Sequence, residues 1–117
     1  PSASDVKVHQ VMDQFLGEVY TKEEQANYQK EFAAFKKYLE EQSFLKKNAN
    51  EQLSSLTQID GSNEAIQQTF LNLKQQTIAY YLTTEEIGKN YLNYLPIPGE
   101  YKGCISLEEV GGKAWAL

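Results

Sequence analysis

The 117-residue chain has no arginine; all eleven of its basic residues are lysine, set against sixteen acids for a net charge of -5. Without the guanidinium fork, bidentate recognition of carboxylate or phosphate has no residue to perform it. The acidic balance repels nucleic acid and anionic membrane surfaces, so neither is an expected partner. A single cysteine excludes an internal disulfide framework and a multi-thiolate metal site. A single histidine, His9, leaves a histidine-based catalytic dyad without a visible second member, and it reads as a surface or cap-side residue. No apolar run approaches the roughly eighteen residues of a membrane span. Glycine-rich nucleotide turns of the G-x-G-x-x-G or G-x-x-x-x-G-K-[ST] type are missing as well, which removes flavin, nicotinamide and phosphoryl chemistry from this chain's own repertoire. No cofactor and no metal is expected in it.

What remains is a helix-forming pattern. With 41% hydrophobic residues and a mean hydropathy of -0.56 the chain can bury a core while keeping solvated outer faces, and its length suits one domain, 1–117. Over 5–20, Val8, Val11, Met12, Phe15, Leu16 and Val19 recur at three- and four-residue intervals, which predicts a first helix with Ser4 or Asp5 as N-cap. Thr21 and Glu24 form a T-x-x-E capping box that starts a second helix at Lys22. Its stripe is Tyr28, Phe32, Phe35 and Leu39, it runs to about Phe44 or Lys46, and it is expected to be the longest.

Asn48 and Glu51 start a short third helix carrying Leu53, Leu56 and Ile59, and Asp60-Gly61 predicts a turn. A fourth helix from Ser62 or Asn63 carries Ile66, Phe70, Leu73, Ile78 and Tyr81. Thr83 and Glu86 predict a further capping box and a short fifth helix presenting Ile87, Tyr91 and Leu92. Strict alternation of β-branched residues is missing, so the expected class is all-α: a small bundle of about five helices over 5–93, with an ordered, extended tail over 94–117 packed on it.

In the tail, Pro96 and Pro98 forbid helix and bias Leu95 and Ile97 toward extended backbone. Four of the seven glycines, Gly99, Gly103, Gly111 and Gly112, fall there, interleaved with Tyr94, Tyr101 and Trp115. Such a strap either closes the open end of the bundle or offers an aromatic surface to a partner. Cys104, with no second cysteine, reads as a small buried hydrophobe. The adjacent acids at 23–24, 40–41, 85–86 and 108–109 read as solvated faces or caps, since neighbouring helix positions diverge by about 100°.

AYYLTTEEIG (79–88), YLPIPGEYKGCISLEE (94–109) and KAWAL (113–117) together resemble the closing signature of the gluconate 2-dehydrogenase small-subunit (subunit 3) family. VHQVMDQFL (8–16) and YTKEEQANYQKEFAAF (20–35) are similar to that family's first two helices. The resemblance implies a non-catalytic accessory subunit that accompanies a large FAD-dependent oxidoreductase of the glucose-methanol-choline type, with a cytochrome c subunit carrying electrons onward in some complexes. FAD is then expected in the partner and haem c in a third subunit. The resemblance also implies export on a twin-arginine or lipoprotein leader to the periplasm or cell envelope. The start at Pro1, without a charged-then-apolar leader, is compatible with a removed signal. Tyr94, Pro96, Pro98, Gly99, Tyr101, Gly103, Cys104 and Trp115 are the candidate structural or partner-interface residues. The alternative is a free-standing helical module that binds a small ligand or peptide between its helices with the tail as lid. A deep pocket with convergent polar groups would mark that alternative; an apolar patch that includes the tail would mark the accessory subunit.

Overall fold

The computed structural model describes residues 1–59, 63–95, 99–100 and 102–116. The chain is all-α: among the described residues there are five α-helices and no strand, only one isolated bridge pairing Asn93 with Trp115. The helices are α1 (Val8–Glu18), α2 (Lys22–Glu41), α3 (Ala49–Thr57), α4 (Glu64–Thr83) and α5 (Glu85–Asn90), with a single 3-10 turn at Phe44–Lys46. Contacts group the chain into two compact units, one of Pro1–Met12 with Thr77–Leu117 and one of Asp13–Gln76. The divisions fall inside α1 and α4.

In the Asp13–Gln76 unit, α2 begins where the T-x-x-E pattern places it. The Thr21 hydroxyl accepts from the Glu24 amide, and the Glu24 carboxylate accepts from the Thr21 amide at 2.8 Å. Asn48 and Glu51 do the same for α3. The helix ends depart from expectation. α2 stops at Glu41 because Ser43 takes the left-handed conformation at φ 52° and turns the chain into the 3-10 turn, so α2 and α4 are equally long at 20 residues. Gln25 donates from Nε2 to the carbonyl of Tyr20 at 3.1 Å and to that of Gly17, covering acceptors that the end of α1 leaves unpaired.

The interior of this unit is Phe35, Ile66 and Thr69. Thr69 satisfies its hydroxyl on the Ala65 carbonyl one turn back. Phe35 stacks on Phe70 at 6.2 Å between ring centroids, and Tyr28 stands between Tyr20 and Phe32 at 6.4 and 6.5 Å. Phe15, Val19 and Phe32, expected along buried stripes, are exposed, as are Leu45 and Leu53.

In the other unit the N-terminal segment does not enter α1 at Ser4 or Asp5. Ser2 and Asp5 instead bond each other's amides through their side chains, closing a turn; Lys7 follows at φ 56°, and the helix starts at Val8. Hydrogen bonds donated by Ser2, backbone amide first, hold the Asp5 carboxyl below its usual value. The capping box expected at Thr83 and Glu86 does not form. Both hydroxyls, of Thr83 and Thr84, donate backward to the Tyr80 and Tyr81 carbonyls at 2.9 and 2.8 Å, closing the last turn of α4 instead of opening α5. Val8 and Ile87 are the buried hydrophobic side chains of this unit, at 1% and 2% exposure. The predicted turn at Asp60-Gly61 lies outside the described residues.

Candidate functional site

The C-terminal end of the Pro1–Met12, Thr77–Leu117 unit is assembled on Asn93. After α5 the Tyr91 and Leu92 amides both donate to the Ile87 carbonyl, a close that frees the chain to leave the helix. Asn93 then makes four hydrogen bonds to the far end of the tail. Its amide donates to the Ala114 carbonyl at 2.7 Å, its carbonyl accepts from the Ala116 amide at 2.9 Å, and its side-chain Nδ2 donates to the carbonyls of Val110 at 3.0 Å and Lys113 at 2.7 Å. Among the described residues the tail is thus held chiefly by hydrogen bonds to Asn93, and Trp115 is set beside Asn93 in a parallel bridge.

Between these anchors lies a helical turn closed at both ends. Ser106 and Glu109 exchange side-chain-to-amide hydrogen bonds at 3.1 and 3.3 Å, as a capping box does. The Gly111 amide donates to the Glu108 carbonyl and the Gly112 amide to the Leu107 carbonyl, with Gly111 at φ 63° and Gly112 at φ 71°; this is the Schellman pattern, whose left-handed residue is most easily glycine. The S-x-x-E spacing and the paired glycines that close this turn are local sequence signals. Asn93 carries no local signal, because its partners are 17 and more residues away.

Among the described residues the tail does not bury its aromatic side chains. Tyr91, Tyr94 and Leu95 are each more than half exposed, Trp115 is 50% exposed, and Ile105 and Leu107 are exposed beyond them. Cys104, expected as a buried hydrophobe, is an exposed free thiol in a run, 102–109, that is exposed throughout. Gly99 and Gly103 are also exposed. Pro96, Pro98 and Tyr101 lie outside the described residues. Gly88 is buried in α5, and a methyl group there would meet the Ala116 side chain at 3.9 Å, so the tail's end rests on that turn at ordinary contact distance.

Open grooves are lined by described residues. About 370 Å3 lies along Asn27, Lys30, Ala34, Ala65, Ile66 and Thr69. A second, of about 290 Å3, is bounded by Leu82, Thr84, Gly88, Lys89, Tyr94 and Ala116. His9 is exposed at the rim of a third, beside Ser4, Met12 and Thr77. Among the described residues no buried side-chain polar atom lacks a partner, and no group of three or more His, Cys, Asp or Glu is placed to hold a metal ion. The shifts at Asp5, Glu24, Glu85 and Lys89 belong to exposed local contacts. The Thr21 amide and hydroxyl hold the Glu24 carboxyl low, and the hydrogen bond and charge of Lys89 hold Glu85 low, with Lys89 raised in return.

This region is the polar-latched tail of a small all-α protein. Residues 1–99 match the model of the family described as Gluconate 2-dehydrogenase subunit 3, and the chain belongs to that family. The match takes in the start of the strap, YLPIPG, and ends before EYKGC and KAWAL. No curated protein and no solved structure matches the chain. Among the described residues no helix is long and apolar enough to cross a membrane.

Proposed function

We propose that the chain is a non-catalytic accessory subunit of an exported FAD-dependent dehydrogenase complex acting on a sugar or sugar acid. It docks on a flavoprotein subunit of the glucose-methanol-choline type, which binds the FAD; a cytochrome c subunit with haem c accepts electrons where one is present. The complex works in the periplasm or cell envelope, and docking stabilises the flavoprotein or aids its export.

One observation carries this reading beyond family membership: large apolar side chains are exposed on a tail whose backbone is already fixed. Tyr91, Tyr94, Leu95 and Trp115 face water, while only Val8, Phe35, Ile66 and Ile87 are buried hydrophobics among the described residues. Each Å2 of apolar surface taken from water is worth about 25 cal/mol, and tyrosine and tryptophan are among the residues that most often dominate binding energy at interfaces. A chain with so small an interior gains much of its stability from whatever covers the rest. The open grooves support association over enclosure of a small ligand.

The test is purification of the tagged chain from its native host. A stoichiometric large polypeptide with flavin absorbance and sugar-acid or sugar dehydrogenase activity is expected. Recovery of the chain alone under several growth conditions would contradict the reading.

A further inference from the structure

We propose that Asn93 is a latch that holds the C-terminal segment 110–116 in the conformation its partner meets, so that the interaction surface is built before association rather than on it. The partner half of this inference rests on the accessory-subunit reading; the latch half does not.

The geometry suits asparagine. The side chain faces two carbonyl oxygens, of Val110 and Lys113, and its amide nitrogen, with two hydrogens, donates to both while the same residue's backbone amide and carbonyl engage Ala114 and Ala116. Aspartate has the same shape but would oppose a carboxylate to both carbonyls. Alanine would remove both side-chain hydrogen bonds and leave the Val110 carbonyl its longer one from the Lys113 amide.

The Val110 acceptor sits at the C-terminal close of the turn capped by Gly111 and Gly112, where it also accepts from the Lys113 amide at 3.3 Å, and the Lys113 acceptor lies just past the two glycines. Among the described residues the apolar side chains of the tail give little alternative hold, since Leu107 and Ile105 are exposed and Trp115 is half exposed. The chain between Asn93 and Ala114 is a loop of about twenty residues whose closure opposes the ordered state, and the hydrogen bonds of one residue offset it. A tail ordered in advance loses less freedom on docking, and a partner that needs the closed form sees an affinity reduced by whatever fraction is open.

Hydrogen exchange on the full-length chain tests the latch, with Asn93→Asp and Asn93→Ala beside the wild type. Loss of two side-chain hydrogen bonds should speed exchange of the Ala116 amide by about tenfold or more and make Trp115, the sole tryptophan, easier to quench, while α2 keeps its protection. Wild-type protection at Ala116 in both variants would overturn the latch. The partner half is read with the co-expressed flavoprotein subunit. Asn93→Asp should weaken binding by about tenfold or more, whereas Trp115→Ala should weaken it with Ala116 protection unchanged. Full-strength binding by Asn93→Asp with a loosened tail would overturn pre-organisation and leave the accessory reading standing. A wild-type chain that binds no flavoprotein would remove that reading together with the partner half, and exchange at Ala116 would still decide whether Asn93 holds the tail.

Discussion

Ile87 and Trp115 belong to the same compact unit, yet they are held by opposite means. Ile87 is in α5 and almost wholly buried. Trp115 sits on a segment positioned by the backbone and side chain of Asn93, with half its surface in water. Burial fixes the helix, whereas hydrogen bonds fix the tail and leave its aromatic surface unspent. Order and burial are therefore separable here, and residues 110–116 are held in place without being core.

The sharpest way to break that comparison is to truncate both side chains. Ile87→Ala should cost about 2–5 kcal/mol of unfolding free energy, as deletion of a buried aliphatic side chain does. Trp115→Ala should cost about 1 kcal/mol or less, well under the roughly 3 kcal/mol expected of a buried tryptophan. Equal losses in chemical denaturation would mean that Trp115 is core after all. Next in size is Gly111→Ala, which forces a side chain into the left-handed region at φ 63° and should cost about 1–2 kcal/mol. The loss should appear as faster amide exchange within 106–116 while the global midpoint moves little.

On the helical side Gly17→Ala should stabilise by up to about 1 kcal/mol. The position is helical, and the space beside it is open. The tail should not register the change.

The smallest effect separates the two regions by pH. Glu24 has its folded pKa depressed below its unfolded value by the Thr21 hydrogen bonds, so its capping contribution is present above the unfolded value and is lost as pH falls through the folded one. Asn93's four bonds involve no titratable group. Acid should therefore erode the stability difference between wild type and Glu24→Gln, as read by thermal unfolding, while the protection factor at Ala116 is unaffected by the same titration.

Much of the helical frame is local chemistry and was legible in the sequence. The boxes at Thr21 and Asn48 form as their spacing implies, because each is completed within one turn. The box at Thr83 and Glu86 fails for an equally local reason that spacing does not reveal: the threonine hydroxyls have a competing demand from the carbonyls at the end of α4. The left-handed Ser43 that ends α2 carries no strong sequence mark.

Apolar periodicity located faces but overstated burial, since Val19 and Phe32 lie on the predicted stripes and are exposed. A period says which residues share a side, not whether anything covers that side. In the tail the same limit misplaced Cys104, and Asn93 escaped because its function depends on contacts distant in sequence.

The central claim is that the latched tail is the surface this subunit gives to a flavoprotein, and a hydrogen-exchange footprint on the purified complex tests it most directly. Binding should add protection at Tyr91, Tyr94, Leu95 and across 105–116, with smaller changes along α2. Protection confined to α2 and α3, with the tail exchanging as it does in the free chain, would contradict it.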